Sequence, residues 1–461
     1  MRRLEKAGLI GLGLVAGISL SLHFAALADK ETIVTPLPVE ELRAFTEVFG
    51  HIKSSYVEPV SDKKLFTGAI NGMLNGLDPH SAYLDEDAFK DLQAGTQGQF
   101  GGLGIEVGME DGLVKVISPI EDTPAYQAGV KSGDLILKLD DSLVKGMSLN
   151  DAVKRMRGKP GSKIVLTILR KSEPKPLTIT VVRAVIKVQS VKAKLLESGY
   201  AFVRITQFQE HTGENLAASL EKLTKENKGT LKGLVLDLRN DPGGLLDGAV
   251  GVSAAFLAKD ALVVYTEGRT EDAKMRLTAA PEYYLRGNAK NDYIKNIPAS
   301  IKSVPLVVLV NGGSASASEI VAGALQDHKR AVIMGTQTFG KGSVQTVLPL
   351  GNNTAIKLTT ARYYTPGGRS IQAKGIVPDI LVEDPSTVGM ENVFRLRESD
   401  LDKHLINDKQ ADDKADISLK SEAAPKNKAE TLPPVEFGAK NDYQLNQALN
   451  LLKGMQILQG K

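Results

Sequence analysis

The sequence has no cysteine and no tryptophan among its 461 residues, and aromatic residues make up only 5% of it. The lack of cysteine excludes thiol catalysis, disulfide bonds and zinc sites built on thiolates. The low aromatic content argues against surfaces that bind carbohydrate or single-stranded nucleic acid by stacking. The formal net charge is only +3, so we expect no nucleic-acid partner. The histidines form no HExxH motif, and we expect neither a metal site nor a cofactor.

The N-terminus has the pattern of an export signal. A basic start, with Arg2, Arg3 and Lys6, precedes residues 7–28, which carry no formal charge. This uncharged stretch ends in Ala-Leu-Ala, a small-x-small cleavage site. We therefore predict a signal peptide over residues 1–28 and a periplasmic or otherwise exported protein. The alternative is an uncleaved anchor that holds the protein at the inner membrane, because the uncharged stretch is about long enough to span a bilayer.

Changes in composition divide the rest of the chain into four regions. Residues 29–97 carry two amphipathic helices and a turn-rich connector. Residues 98–184 have the frequent glycines, short strands and two small helices of a β-rich module. Residues 185–382 alternate apolar runs with helical segments, which predicts a larger α/β core. Residues 383–461 combine a polar linker with one last helix.

The pattern also predicts individual elements of the core and tail. Buried strands are expected at Leu234–Leu238, Leu306–Val310 and Ala331–Gly335, and helices at Gly213–Glu226, Leu245–Leu257 and Glu319–Asp327. The polar stretch Arg269–Ser303 is interpreted as a surface excursion. The last helix, Tyr443–Leu458, is amphipathic, and it could dock on its own core or on another subunit.

The segment from Val310 to Ile320 reads Val-Asn-Gly-Gly-Ser-Ala-Ser-Ala-Ser-Glu-Ile. A buried strand ends there in small residues and a helix begins, which is how a nucleophile is placed on a tight turn beside free backbone N–H groups. A plain capping turn would also use serine. The residues alone leave Ser314, Ser316 and Ser318 open as the nucleophile.

A candidate base lies in Gly340-Lys341-Gly342. A lysine ordinarily titrates near 10.4, so it must be desolvated to accept a proton at neutral pH, and the flanking glycines allow close packing around it. A strand is predicted from Ser343 to Leu348. Lys341, Ser343 and Gln345 would then share one face, where Gln345 could hydrogen-bond the amine. The alternative is a solvent-exposed turn lysine.

A third segment, residues 235–244, reads Val-Leu-Asp-Leu-Arg-Asn-Asp-Pro-Gly-Gly. The strand runs into a turn in which Gly243 and Gly244 could expose backbone N–H groups as oxyanion donors. The alternative is an ordinary strand-to-helix turn in which Asp237 and Arg239 pair.

These segments together resemble the C-terminal processing, or tail-specific, proteases of the Ser/Lys type, peptidase family S41. The resemblance takes in the connector Gly-Leu-Asp-Pro-His-Ser-Ala-Tyr-Leu at residues 76–84 and the glycine-rich module, and it covers about residues 40–382. It implies a ClpP/crotonase-like α/β serine protease core with an inserted PDZ domain at residues 98–184. Helical N- and C-terminal segments complete this multidomain fold.

The resemblance also implies roles for individual residues. Among the three serines it selects Ser316 as the nucleophile. Lys341 becomes the base, and Gln345 the residue that orients it. The backbone N–H of Ala317, with one from the turn at residues 243–244, would form the oxyanion hole.

In the PDZ domain that the resemblance implies, a nest of backbone N–H groups would bind a terminal carboxylate. The residues of this nest are Gly101, Gly102, Leu103, Gly104 and Ile105. The following strand would accept an extended peptide by β-addition. Arg157, at the end of the second helix, is interpreted as a solvated helix end, with a contact to substrate or to a neighbouring domain as the alternative.

We therefore expect an exported serine endopeptidase that cleaves proteins near their C-termini and recognises those termini with its PDZ domain. The resemblance further implies a homo-oligomer, assembled through the N-terminal helices or the last helix, and allows for an adaptor protein. The alternative function is a PDZ-bearing binding or chaperone protein with an inactive protease core.

Overall fold

The computed structural model describes residues 37–110, 112–120, 122–287, 291–385, 397–408 and 437–458. The predicted signal peptide and most of the predicted linker lie outside these ranges. The chain divides into two compact units, the first ending at Ile70. Among the described helices, none is both long and apolar enough to cross a membrane.

The first unit contains the two predicted N-terminal helices. They are α1 (Val39–Ser55) and the greater part of α2 (Asp62–Asn75). The ring of Phe66 lies 5.1 Å from that of Phe49 and 6.4 Å from that of Phe45, measured between centroids. No side chain of α1 is fully buried, so its apolar stripe stays accessible in this unit.

The second unit begins with two elements that follow the connector. Strand β1 (Ala82–Leu84) leads to α3 (Glu86–Gln97), which begins after Asp85, whose carboxylate accepts the N–H of Ala88 at 2.9 Å. Gly98 ends the helix with a φ of 68°, a conformation that favours glycine. The sequence analysis did not predict α3, because the segment has only two large apolar residues, Phe89 and Leu92.

The predicted β-rich module follows. Its elements are β2 (Gln99–Gly102), β3 (Ile105–Glu110), β4 (Leu113–Pro119), α4 (Pro124–Gln127), β5 (Leu135–Leu139), β6 (Ser142–Leu143), α5 (Leu149–Met156), β7 (Lys163–Leu169), β8 (Leu177–Val182) and β9 (Ala184–Lys187). The main antiparallel sheet has the order β3–β4–β5–β7–β8, while β2 pairs with β9. Strand β3 therefore lies at an edge of the sheet as far as the structure describes the chain.

The predicted α/β core comes next. Its elements are β10 (Val191–Glu197), β11 (Tyr200–Ile205), α6 (Thr212–Glu226), β12 (Gly233–Asp237), α7 (Leu246–Phe256), β13 (Leu262–Gly268), β14 (Arg276–Thr278), α8 (Pro281–Tyr284), β15 (Leu306–Val310), α9 (Ala317–Asp327), β16 (Val332–Gly335), β17 (Ser343–Pro349), β18 (Ala355–Tyr364) and β19 (Ile380–Leu381). The central sheet has the order β10–β11–β12–β15–β16–β19 and is parallel from β11 onward. Every residue of β12 and β15 is buried, as expected for parallel strands covered on both faces.

Helices cover both faces of this sheet. Helices α6, α7 and α9 pack on one face and form the largest apolar cluster of the described chain. The other face is covered by α10 (Tyr443–Leu458), where Leu445, Ala448 and Leu452 pack against Phe202 and Val307. The last helix thus has the predicted bounds and docks on its own core.

A second, antiparallel sheet adjoins the first. Strands β1 and β13 pair with the two ends of β18 along one edge, and β14 pairs with β13. Strand β17 pairs along the other edge of β18. This sheet joins the connector, through β1, to the strand that follows Lys341. Strand β18 was not predicted, because its sequence mixes polar and apolar residues without strict alternation.

The interpretation of Arg269–Ser303 as a surface excursion was wrong. Its apolar residues belong to the main cluster of the core, among them Leu277, Tyr284 and Ile301. The stretch reads as polar because these buried side chains are widely spaced between exposed polar ones.

Candidate active site

Ser316 lies on the turn between β15 and α9 in a strained backbone conformation. Its φ is 55° and its ψ is −112°, a region that non-glycine residues seldom occupy. Its backbone N–H donates to Oε2 of Glu319 at 2.8 Å. A serine on a strained strand-to-helix turn exposes its hydroxyl above the end of the sheet.

The other two candidate serines are fully buried and hold the turn in place. The hydroxyl of Ser314 donates to the carbonyl of Leu238 at 2.8 Å, and that of Ser318 donates to the carbonyl of Asp241 at 3.0 Å. Ser316 is only partly buried. Geometry therefore separates Ser316 from its neighbours, which the residues alone could not do.

Glu319 joins the serine turn to the lysine loop. Its fully buried carboxylate accepts the hydroxyl of Thr338 at 2.6 Å and the N–H groups of Gly340 at 2.7 Å and Lys341 at 2.9 Å. The N–H groups of Ser316 and Lys341 bind the same oxygen, Oε2, so the two nitrogens cannot be more than about 6 Å apart. Burial raises the pKa of Glu319 to about 7, against the opposing effect of these hydrogen bonds. Sequence reasoning missed this role, although the Ser-x-x-Glu spacing of a capping box was a signal for it.

Lys341 lies in the loop just before β17. Burial lowers the pKa of its amine, and the nearby charge of Lys357 lowers it further. The hydroxyl of Tyr363 donates to the backbone carbonyl of Lys341. The loop therefore holds a desolvated lysine beside the strained serine.

Gln345 is half-buried in β17. Its amide nitrogen donates to the hydroxyls of Ser343 at 3.0 Å and Thr359 at 3.3 Å. The contact with Ser343 agrees with the predicted shared face of these two residues, while Lys341 lies two residues before the start of β17. Its action on the amine remains a prediction.

The glycine turn after β12 packs directly against Ser316. A Cβ on Gly243 would lie 2.8 Å from Cβ of Ser316 and 2.8 Å from the backbone nitrogen of Ala317. The N–H of Gly243 donates to Oδ1 of Asp241 at 2.8 Å, which leaves the N–H of Gly244 as the candidate donor of this turn. Ala317 is the first residue of α9, where backbone N–H groups lack intrahelical partners.

Arg239 follows β12 and is fully buried. Its guanidinium donates to Asp237 at 2.8 and 2.9 Å, so the pair that the alternative interpretation of this segment included is present. It also donates to Asp442, just before α10, at 2.9 and 2.6 Å. The C-terminal helix is therefore bonded to the strand end that leads into the glycine turn.

The predicted carboxylate nest lies between β2 and β3. Gly101 and Gly102 belong to β2, the side chain of Leu103 is buried in the core of the module, and Ile105 begins the edge strand β3. Gly104 has a φ of 77°, and a Cβ there would lie 2.2 Å from Thr123. Ile105 and Val107 of β3 and Leu149 and Val153 of α5 are only partly buried against the same core.

The sequence analysis interpreted Arg157 as a solvated helix end, but its side chain makes contacts in the structure. Its guanidinium lies 5.0 Å from the ring centroid of Phe100 and 3.4 Å from Asp91 of α3. The residue thus contacts the helix that precedes the module.

Within the described ranges, no cluster of histidine and acidic side chains could hold a metal ion.

Comparison with known proteins agrees with this geometry. A model of peptidase family S41 matches residues 199–382, and a PDZ-domain model matches residues 101–181. A model of the N-terminal domain of the activating protease CtpB matches residues 21–88. The chain belongs to peptidase family S41 and is a serine-type peptidase with a PDZ domain.

Its relatives define the group more closely. The chain is 46% identical over 443 residues to the carboxy-terminal-processing protease of Bartonella bacilliformis, with 95% of each chain covered. It is 35% identical over 388 residues to the carboxy-terminal processing protease CtpB of Bacillus subtilis, which covers 81% of this chain and 75% of that one. Among solved structures, the photosystem II D1 C-terminal processing protease is 30% identical, with 78% of this chain and 91% of that chain covered and a TM-score of 0.42. The family models and the two sequence relatives confirm the predicted family, and the sheets and helices described above confirm a multidomain α/β fold.

Proposed function

We propose that this peptidase is an exported endopeptidase that cleaves proteins near their C-termini with a Ser316–Lys341 dyad. The observation that carries the proposal is the shared acceptor: one oxygen of Glu319 binds the backbone N–H of both residues. The proposal is supported by this closeness of the two backbones, by the strain at Ser316 and by the burial that lowers the pKa of Lys341. A nucleophile and a desolvated base are the two parts that such catalysis needs.

The reaction is acyl transfer. The neutral amine of Lys341 takes the proton of Ser316 as Oγ bonds to the peptide carbonyl carbon. The backbone N–H groups of Ala317 and Gly244 stabilise the oxyanion. Lys341 then gives its proton to the leaving amine as the C–N bond breaks. Water, deprotonated by Lys341, attacks the resulting ester. The C–Oγ bond then breaks, Ser316 takes the proton back from Lys341, and the acid leaves.

The PDZ module recognises the substrate. Strand β3 is an edge strand, so an extended C-terminal segment can add to it by main-chain hydrogen bonds, with its last side chain between β3 and α5. The residues from Gly101 to Gly104 receive the carboxylate. Protein C-termini are therefore the partners of this module.

Export and assembly complete the proposal. Residues 1–28 direct the protein to the periplasm. They act either as a signal peptide that is cleaved or as an uncleaved anchor in the inner membrane. The exposed apolar stripe of α1, which includes Leu42, Phe45 and Val48, is suited to pair with a second copy of the chain or with an adaptor protein. Because α10 docks on its own core, we assign assembly to the N-terminal helices.

The test is cleavage of an unfolded substrate that carries a free C-terminal tag. Ser316→Ala and Lys341→Ala should each lower kcat by roughly 10⁴-fold or more, with circular dichroism showing that each variant is folded. Lys259→Ala, which removes an exposed amine, should leave kcat unchanged. Full activity in either dyad variant would refute the dyad, whereas a wild-type protein that binds the tagged substrate without cleaving it would favour a binding protein with an inactive core.

A further inference from the structure

Two segments beside the lysine loop take no part in the cycle above. The loop comprises residues 339–342. One segment is the connector at residues 76–84, and the other is segment 397–408, which lies beyond the protease core in sequence. Each contributes a charged side chain whose field reaches the amine of Lys341.

Glu398 of segment 397–408 is completely buried, and both its carboxylate and its backbone N–H are hydrogen-bonded. Its carboxylate accepts Nε2 of His80 at 2.8 Å and Nε2 of Gln372 at 3.0 Å. Its backbone N–H donates to the carbonyl of Phe339 at 3.1 Å. Oε1 of Gln372 in turn accepts the N–H of Gly342 at 3.0 Å. Glu398 therefore holds both ends of the lysine loop.

The middle of the loop is held by another carboxylate, that of Glu319. The N–H groups of Gly340 and Lys341 both donate to Glu319, as described above. The carboxylate of Glu319 thus binds the loop directly, whereas Glu398 binds it through its backbone N–H and, by way of Gln372, through its carboxylate. Such over-determined backbone is what keeps a catalytic side chain within the tolerance that catalysis needs.

The connector supplies the histidine that holds Glu398. The carboxylate of Asp78 accepts the N–H of His80 at 2.8 Å and the hydroxyl of Ser81 at 2.6 Å, which fixes the turn. The same carboxylate accepts the hydroxyl of Thr359 at 3.1 Å, and Thr359 accepts the amide of Gln345. The connector is therefore bonded to two parts of the active site.

We propose that Glu398 is a positioning residue for the base: it fixes the loop of Lys341 through Gln372 and the carbonyl of Phe339, and its negative charge acts on the lysine amine. His80 completes the arrangement as the group that keeps Glu398 ionised and in place. This inference rests on the proposed function, because it takes Lys341 as the base.

The charges around Lys341 give the inference a direction. Burial and Lys357 lower the pKa of the amine, whereas the negative charges of Glu398, Glu319 and Asp78 raise it. Catalysis needs the neutral amine, so activity falls as the pH drops through this pKa. Removing the charge of Glu398 lowers the pKa, and the acidic limb of the pH profile moves to lower pH.

Glu398 carries its charge throughout the neutral range. Burial alone would raise its pKa, but the hydrogen bonds from His80 and Gln372 and the charge of Lys341 hold it below the usual value. The amide of Glu398→Gln removes the charge and keeps an acceptor for Gln372, and its NH₂ then faces Nε2 of His80.

The experiment compares the pH dependence of kcat/KM in three variants. Glu398→Gln should move the acidic limb down by about one pH unit without a matching change in KM. Glu398→Ala keeps the backbone bond to Phe339 but also removes the acceptor that holds Gln372, and it should lower kcat by roughly 10- to 100-fold. Asp402→Asn removes an exposed carboxylate from the same segment and should leave the profile unchanged.

A second readout does not depend on activity. The rate at which an amine-acylating reagent modifies Lys341, followed by peptide mass spectrometry, reports the neutral fraction of the amine at each pH. This titration should shift in Glu398→Gln in the same direction as kcat/KM. If neither curve moves while Lys341→Ala is inactive, the inference is wrong and the dyad stands. If Lys341→Ala remains active, the dyad itself fails, and the inference with it.

Discussion

Ser316 has a partly exposed side chain and a strained backbone conformation. A residue with this φ and ψ costs roughly 1–3 kcal/mol, and the strain persists because the carboxylate of Glu319 holds its N–H on one side. On the other side Gly243 packs against it without a side chain. Ser314 and Ser318 donate to backbone carbonyls instead, which leaves the Ser316 hydroxyl available for attack.

Glu319→Gln tests whether this carboxylate holds the site together. Each of its oxygens accepts a backbone N–H, so an amide NH₂ in either position would face a donor. We expect a loss of roughly 2–3 kcal/mol in the free energy of unfolding together with a fall in kcat. Urea unfolding and peptide cleavage measure the two effects.

The matched control for this variant is Glu214→Gln, because Glu214 occupies the equivalent position in the first turn of α6 but is exposed. It should change stability by less than about 0.5 kcal/mol. Equal effects of the two variants would contradict a special role for Glu319.

Gly243→Ala tests the contact between the glycine turn and the nucleophile. The φ of 95° is unfavourable for alanine, and the added methyl group would overlap the serine turn. We expect kcat to fall by roughly 10²-fold or more, because the oxyanion donors move. Gly229→Ala is the control, since nothing lies within 4 Å of its Cβ position. An active Gly243→Ala variant would separate this turn from catalysis.

At the scale of elements, the sequence predicts the helices and strands whose apolar residues form a continuous run or a regular period. Strand β15 and helices α9 and α10 were placed from their apolar runs. Helix α3 was missed because it has only two large apolar residues, Phe89 and Leu92, and strand β18 because it mixes polar and apolar residues. The bulge in the pairing of β17 with β18, where Thr360 is the extra residue, could not be read from alternation. The pattern of α10 shows an apolar face but does not identify the surface that it covers.

The same limit applies to the site. Ser316 and Lys341 were found because glycines and small residues mark their turns. Glu398 was not found, since no local pattern connects a residue beyond the protease core to the lysine loop. Contacts between segments distant in sequence are fixed by the tertiary fold, and one sequence does not display them.

Asp442→Ala tests the bond between α10 and the strand end at Arg239. Removing this carboxylate leaves a buried guanidinium with one acidic partner fewer, so the free energy of unfolding should fall by about 3 kcal/mol. Lys453→Ala is the control on the same helix, because its ion pair with Glu197 is exposed and should contribute less than about 1 kcal/mol. Similar losses would show that the buried network is not special.

At the scale of the whole molecule, the second unit contains both a peptide-binding module and a protease core. If the module binds the terminal carboxylate, amidating the C-terminus of a peptide substrate should raise KM by roughly tenfold or more while kcat changes little. Steady-state kinetics on the paired peptides measures this difference. Equal KM values would show that the free C-terminus is not recognised.

The dyad is tested most directly by mapping where a serine-reactive fluorophosphonate attaches. Our account predicts one adduct, on Ser316, in the folded protein, and a labelling rate at least about 100-fold lower in Lys341→Ala. Digestion and peptide mass spectrometry identify the labelled serine. An adduct on Ser314 or Ser318, or a rate that does not depend on Lys341, would contradict the account.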